Sequence, residues 1–98
     1  MHVEWNPKKA LENFSKHGVS FSEAERAFND FYGIEMLDEE HSTAEETHFQ
    51  MIALAGTRIL FVVYTMRGEN YRIITAREAE NHEREYYEEE RSSDAFYE

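Results

Sequence analysis

The chain has 98 residues, of which 41% are apolar, and it carries a net charge of -11 with no cysteine. This length fits one domain with a modest core, and the lack of cysteine excludes disulfides and thiolate metal sites. The sequence has neither an apolar run long enough to cross a bilayer nor a signal peptide, so we expect a cytoplasmic protein.

The first third of the chain predicts a short strand followed by two helices. Residues 2–5 alternate as a strand does. Asn6 and Pro7 are typical of a helix start, because the Asn side chain caps free amides and Pro suits the first helical position. This helix should end near His17, since Gly18 can adopt the left-handed conformation that closes helices.

A second helix is predicted directly after Gly18. Ser20-x-x-Glu23 fits a capping box, and Asn29-Asp30 should end the helix. The chain then becomes extended at residues 31–37. Three further apolar segments at 47–54, 58–66 and 71–75 are separated by short Gly-containing turns, which indicates a hairpin-linked antiparallel meander.

Thr75-x-x-Glu78 is another capping-box pattern, so we expect a third helix from there to about Glu90. The fold class is therefore α+β, with two N-terminal helices packed on a mostly antiparallel sheet and a C-terminal helix. Residues 1–91 should form one domain, and residues 92–98 should form a frayed acidic tail.

Several motifs in order resemble the BrnT family of type II toxins, the toxin half of the BrnT/BrnA system. The resemblance is carried by E-W-N-P-K-K-A at 4–10, N-F-S-K-H-G-V-S-F at 13–21, H-S at 41–42, E-E at 45–46, V-V-Y-T at 62–65 and Y-R-I-I-T-A-R at 71–77. It implies a RelE-like ribonuclease fold and cleavage of mRNA. It also implies neutralisation by a BrnA-like ribbon-helix-helix antitoxin, usually in a heterotetramer.

RNA cleavage without a metal needs a base for the ribose 2′-OH, cations for the phosphate and an acid for the leaving oxygen. Arg67, Arg72 and Arg77 are the phosphate candidates, because guanidinium groups bind phosphate oxygens in pairs. Lys16 and His17 supply a cation and a proton-transfer group, and we expect both to face the arginines of the sheet.

Glu46 is a candidate base or orients an arginine, and Tyr64 and Tyr87 are candidates for stacking on an RNA base. Each candidate also has a structural interpretation. The arginines can pair with the abundant Glu residues, and Lys16 and His17 can interact with the carbonyls that end their helix. Glu46 can be an ordinary loop carboxylate, and the two tyrosines can be core residues.

The distribution of charge and the spacing of histidines bear on RNA binding and on metal binding. Residues 78–98 hold nine acidic side chains against two arginines, so the acidity lies largely at the C-terminal end and leaves room for a basic face. His41 and His48 match no standard metal spacing, and no cofactor is expected.

The chain departs from the BrnT pattern at Thr47, where the family usually has arginine. A catalytically degenerate module that only binds a partner is therefore the alternative, and an acidic nucleic-acid mimic is a remote third.

Overall fold

The computed structural model describes the backbone of residues 2–97 and the side chains of residues 2–93. The elements in chain order are β1 (Val3–Glu4), α1 (Pro7–His17), α2 (Phe21–Glu25), a 3₁₀ turn (Arg26–Asn29), β2 (Ile34–Asp38), β3 (His48–Ala55), β4 (Arg58–Arg67), β5 (Asn70–Glu78) and α3 (Asn81–Tyr97). The five strands form a sheet in the order β1-β5-β4-β3-β2.

The predicted antiparallel meander is confirmed by β3, β4 and β5, which pair in sequence. β2 adds antiparallel to β3, whereas β1 pairs with β5 in parallel. The sheet is therefore mixed but mostly antiparallel. A bulge between Val63 and Tyr64 on β4 leaves Ile74 of β5 without a pairing partner on β4, and such irregularities re-aim neighbouring side chains.

Helix α1 begins and ends where the sequence indicates. The Asn6 side chain accepts hydrogen bonds from the backbone N–H groups of Lys8 and Lys9 at 2.9 and 3.1 Å. At the other end Gly18 has φ of +69° and donates its N–H to the Phe14 carbonyl at 2.8 Å. Because this closure needs the left-handed region that glycine favours, Lys16 and His17 are fixed in the last turn of α1.

The prediction of two full N-terminal helices is wrong. Among the described residues, α1 is the one full-length helix ahead of β2, because α2 has five residues and continues as the 3₁₀ turn. Phe21, Ala24 and Ala27 are all buried and lie three residues apart. A spacing of three fits the tighter 3₁₀ repeat better than 3.6 residues per turn, so burial of all three favours the change of helix type.

The third helix also starts later than predicted. β5 continues through Thr75 to Glu78, and α3 begins at Asn81. One of the two hydrogen bonds of a capping box is formed at this start instead, where the Glu80 N–H donates to Glu83 Oε1 at 2.8 Å. The helix extends to Tyr97, beyond the predicted end. The predicted frayed tail falls partly outside the described residues, and the domain boundary at residue 91 stays a prediction.

The main core lies between the helices and one face of the sheet. Phe21, Ala24 and Ala27 contribute to it from α2 and the 3₁₀ turn, and Val19 contributes from the connection between α1 and α2. Its sheet part consists of Met51, Ala53, Ala55, Leu60, Val62, Tyr64, Ile73 and Ala76. Side chains alternate along strands, so the neighbouring residues point to the second face. None of the helices in the described part of the chain is long and apolar enough to span a membrane.

Glu83 joins α3 to the sheet and should make stability depend on acid pH. Burial raises the pKa of the Glu83 carboxyl, but two hydrogen bonds from Arg77, at 2.8 and 2.9 Å, outweigh it and leave the pKa lowered. A carboxyl with a lowered folded-state pKa stabilises the fold above its unfolded pKa, near 4.3, and loses that stabilisation as the pH falls further.

We therefore expect Glu83→Gln to lower the free energy of unfolding at pH 7 by about 1–3 kcal/mol, since a buried charged hydrogen-bond network is weakened. The difference from wild type should shrink between pH 5 and pH 3. Urea denaturation across this range measures it, with the exposed Glu85→Gln on the same helix as the control. A difference that stays constant down to pH 3 contradicts the assignment.

Candidate functional site

A groove crosses the second face of the sheet beside α1. It consists of three adjoining cavities of about 260, 250 and 480 Å³, all of which Ile74 lines. We call it the sheet groove, and its polar lining comprises Asn6, Lys9, Glu12, Asn13, Lys16, His17, Asp38, His41, Glu46, His48, Gln50, Thr65, Arg67, Arg72, Thr75 and Arg77. Among the described residues, α3 contributes nothing to this lining, so the most acidic helix lies outside the groove.

All six residues predicted to act in catalysis line the sheet groove. Lys16 and His17 lie at the α1 end, next to Ile74 and Thr75. Glu46, Arg67 and Arg72 surround the middle cavity, and Arg77 borders the third. The fold thus brings together residues separated by up to 61 positions, although the roles assigned to them stay predictions.

Two of the three arginines are held by carboxylates. Arg72 Nη1 donates to Glu4 Oε2 at 2.6 Å, and Asn70 donates to the other oxygen at 3.0 Å. These bonds lower the pKa of the Glu4 carboxyl. Arg77 donates from both terminal nitrogens to Glu83 and lies 4.2 Å over the Phe61 ring. Arg72 therefore keeps free donors, whereas the fork of Arg77 is fully engaged.

The other cations are less constrained. Arg67 is 58% exposed, and its nearest carboxylate oxygen, on Glu46, is 3.7 Å away. Lys9 and Lys16 lie two helical turns apart on α1, and both line the first cavity, while Lys9 also lines the middle one. No ion pair of either lysine is found among the described side chains. The groove lining has five Lys and Arg side chains against the three carboxylates of Glu12, Asp38 and Glu46, so it has a positive balance despite the net negative charge of the chain.

Glu46 is hydrogen-bonded to His48. The sequence did not predict that His48 belongs to this site. His48 Nε2 lies 2.6 Å from Glu46 Oε1. That bond and the nearby charges of His48, Arg67 and Lys9 lower the pKa of the Glu46 carboxyl, which is thus ionised at neutral pH. Residues two apart in an extended chain share a side, so the Glu-x-His spacing was the available signal.

Lys9 was also missed, although it precedes Lys16 by seven residues. Residues at that spacing lie on the same face of a helix. The helix start at Asn6-Pro7 and the end at Gly18 place both lysines within one helix. The sequence therefore contained enough information to predict a pair of lysines along one edge of the site.

Tyr64 and Tyr87 lie away from the sheet groove and are almost fully buried. Burial and a hydrogen bond to Glu35 raise the pKa of the Tyr64 phenol, which donates to Glu35 at 2.7 Å. Burial and Asp30 raise the pKa of Tyr87 to about 12, and its hydroxyl donates to Asp30 at 2.6 Å. Neither ring has a face available for stacking on an RNA base, so the core interpretation applies.

A group of side chains with metal-ligating atom types occurs in the described residues at Glu80, His82 and Glu83, at the start of α3. Both oxygens of Glu83 already accept hydrogen bonds from Arg77, and one of them also accepts from the Glu80 N–H. A metal there would compete with these donors. The group also lies outside the groove lining.

Comparison with known proteins identifies one family. A model of the family described as "Ribonuclease toxin, BrnT, of type II toxin-antitoxin system" matches residues 5–83. This range contains α1, the whole sheet groove and the β strands from β2 to β5. A search of curated proteins found no match.

Proposed function

Since the matched region covers most of its length, the chain belongs to the BrnT family of ribonuclease toxins of type II toxin-antitoxin systems. From this premise we propose that it is a metal-independent endoribonuclease that cleaves mRNA in the cytoplasm, within the sheet groove. The observation that supports this most is the convergence of Lys9, Lys16, Arg67 and Arg72 on one groove of an otherwise acidic protein.

The proposed reaction is attack of a ribose 2′-OH on the adjacent phosphate. The 2′-oxygen forms a bond to phosphorus while the bond from phosphorus to the 5′-oxygen breaks. The products are a 2′,3′-cyclic phosphate and a 5′-hydroxyl end. Charge accumulates on the non-bridging oxygens during this step, and preorganised cations that face these oxygens stabilise that charge.

We assign the groove residues as follows. Lys9 and Lys16 bind the backbone phosphates along α1, while Arg67 and the free donors of Arg72 bind the scissile phosphate. His17 is a candidate for proton transfer, Glu46 is a candidate base or orients an arginine, and both line the groove. Because Glu83 occupies its fork, Arg77 anchors the rim of the groove instead of binding phosphate.

The test is cleavage of a fluorescently labelled RNA by purified protein in excess EDTA. We expect cleavage with 2′,3′-cyclic phosphate ends, and no cleavage at positions carrying a 2′-deoxy sugar, since the nucleophile is absent there. Arg67→Ala purified in parallel controls for contaminating nuclease. Activity that disappears with EDTA and returns with a divalent metal contradicts the metal-free mechanism, and intact RNA in every condition contradicts the nuclease assignment.

For the partner, we propose a BrnA-like ribbon-helix-helix antitoxin that forms a heterotetramer with the toxin. We further propose that it covers the sheet groove or adjoins it, because occlusion of the cations is the most direct way to stop RNA binding. Retention of RNA cleavage in a purified toxin-antitoxin complex contradicts this arrangement.

A second candidate is a degenerate module that binds its antitoxin but no longer cleaves RNA. The observation that favours it is the pairing of Arg72 with Glu4 and of Arg77 with Glu83, since these carboxylates compete with phosphate. Thr47 in place of the usual arginine also favours a module without catalytic activity. This candidate predicts antitoxin binding together with intact RNA and unaffected growth on expression.

A further inference from the structure

The segment that joins β2 to β3 carries two histidines, each hydrogen-bonded to a carboxylate. His48 Nε2 lies 2.6 Å from Glu46, and His41 Nδ1 lies 3.0 and 3.1 Å from the two oxygens of Asp38. Ser42 connects the two pairs, because its hydroxyl donates to the Asp38 carbonyl at 2.7 Å and accepts the His48 N–H at 2.9 Å. Ser42 therefore joins the backbone of Asp38 to the backbone of His48, while each imidazole is oriented by its own carboxylate.

The carboxylates determine which ring nitrogens remain free. Both are ionised at neutral pH: His48 lowers the pKa of Glu46, and for Asp38 hydrogen bonds from Gln50 and His41 outweigh the effect of burial and lower the pKa. An ionised carboxylate only accepts hydrogen bonds. In a neutral imidazole the nitrogen that faces such a carboxylate carries the proton, which is Nε2 in His48 and Nδ1 in His41. The other nitrogen of each ring, His48 Nδ1 and His41 Nε2, is then the one that exchanges a proton with a ligand.

Both histidines line the same cavity of about 480 Å³, whose floor includes Phe61 and Val63. His48 also lines the cationic middle cavity with Arg67 and Arg72. The side chain of His41 is 64% exposed, at the outer rim. The two imidazoles therefore border one cavity, with His48 on the side of the arginines and His41 at the solvent-exposed rim.

Resting on the proposed ribonuclease function, we propose that His48 and His41 are the general base and the general acid of RNA cleavage. Neutral His48 takes the proton of the 2′-OH as the 2′-oxygen bonds to phosphorus, and protonated His41 gives a proton to the departing 5′-oxygen. Exchange of one proton with water then restores both rings. Glu46 and Asp38 are positioning residues, since they orient the imidazoles without contacting RNA.

His41 and His48 are better suited than His17 alone to serve as the acid and the base of RNA cleavage. No hydrogen bond to the His17 ring occurs among the described contacts, so nothing fixes its tautomer. An acid and a base on opposite sides of a phosphate let one group accept a proton while another donates, and general acid-base groups each contribute roughly 100- to 10,000-fold to rate.

The charged groups that face the pair set its pH behaviour. Glu46, Lys9, Arg67 and Arg72 surround His48 from the loop, α1, β4 and β5, and Asp38 and Arg77 face His41 from β2 and β5. Because one histidine must be neutral and the other protonated, kcat should follow a bell-shaped pH profile. Either single His→Asn variant should lose one limb of that profile.

The experiment measures kcat, KM and pH profile for a fluorescent RNA with wild type, His48→Asn, His41→Asn and Glu46→Gln. A 2′-deoxy analogue of the same oligonucleotide gives the binding affinity without cleavage. We expect kcat to fall roughly 100- to 10,000-fold in each histidine variant, with analogue affinity within about threefold of wild type. Glu46→Gln should lower kcat and shift the acidic limb, because that limb reports protonation of the base and Glu46 is bonded to His48. His82→Asn, an exposed residue of α3, is the control.

The outcomes separate this inference from the function on which it rests. Cleavage by wild type together with near-normal kcat in both histidine variants overturns the acid-base assignment and leaves the ribonuclease function standing. A loss of analogue affinity with unchanged kcat also overturns it, since the histidines would then only bind RNA. Failure of wild type to cleave any RNA overturns both proposals. Circular dichroism of each variant shows that the fold is retained.

Discussion

Replacing Arg67 by alanine is expected to lower kcat/KM for RNA cleavage roughly 100- to 1,000-fold while leaving the fold intact. This is the range observed when one preorganised donor to a developing negative charge is removed. Arg67 lines the middle cavity with Arg72 and His48, and its only described carboxylate contact is long, at 3.7 Å. Its side chain is largely exposed, so its loss removes a ligand for phosphate and little packing.

The matched control for Arg67→Ala is Lys8→Ala, which removes an exposed cation of α1 that is absent from the groove lining. Lys8→Ala should change kcat/KM less than about threefold if local geometry matters more than total charge. Arg67→Lys should recover part of the activity, because a lysine keeps the charge but loses the bidentate fork. Equal losses in Arg67→Ala and Lys8→Ala would show that only net charge matters.

The largest expected effect on stability comes from Asn13→Ala, with a loss of about 3 kcal/mol in the free energy of unfolding. Asn13 is buried in α1, and its amide donates to the carbonyls of Val19 and Ala76 at 3.0 and 2.7 Å. Its oxygen accepts the Ala76 N–H at 3.1 Å. Alanine leaves three buried backbone groups without these partners, each of which costs free energy when unpaired.

Asn13 has this importance because β1 is short. β1 pairs with β5 only at Tyr71 and Arg72, so the outer edge of β5 beyond them has no strand neighbour from β1. The Asn13 side chain meets both backbone groups of Ala76 as a neighbouring strand would. It thereby attaches α1 beside Ile74 and Thr75, the residues that join the cavities of the sheet groove.

Urea and thermal denaturation measure the effect of Asn13→Ala, and a loss of 3 kcal/mol corresponds to roughly 12–24 °C in Tm for a domain of this size. Ser15→Ala is the control, because Ser15 is exposed on the same helix and alanine favours helix. A shift in Asn13→Ala no larger than that in Ser15→Ala would mean that the three hydrogen bonds contribute little.

The candidate site was predictable in part. Residue types suited to phosphate binding and proton transfer identified Lys16, His17, Glu46, Arg67, Arg72 and Arg77, and the structure places all six along one groove. His48 was considered only for metal binding, because its pairing with Glu46 depends on the conformation of the loop before β3. For Tyr64 and Tyr87 the sequence left RNA stacking and core packing open, and the structure shows core packing, with their hydroxyls bonded to Glu35 and Asp30.

The ends of α2 and β5 show why helix prediction failed in two places. A capping-box pattern occurs at Thr75 and Glu78, but the pairing of Val62 with Ala76 and of Leu60 with Glu78 keeps this segment in the sheet. Capping is worth about 1 kcal/mol, and a central strand with several ladder bonds and a buried face outweighs it. At α2, tertiary packing also outweighed local propensity. Burial of three residues at a spacing of three favours the change from α-helix to 3₁₀ turn.

The sequence alone determined the features that depend on near neighbours. These are the limits of α1, the turns of the meander and the ordered motifs of the family, because caps, glycine conformations and apolar alternation act over a few residues. Tertiary structure decided which charges meet. Glu4 and Arg72 are 68 positions apart and Asn13 and Ala76 are 63 apart. Such contacts depend on strand order and on the side to which each residue points, and local propensity carries no information about either.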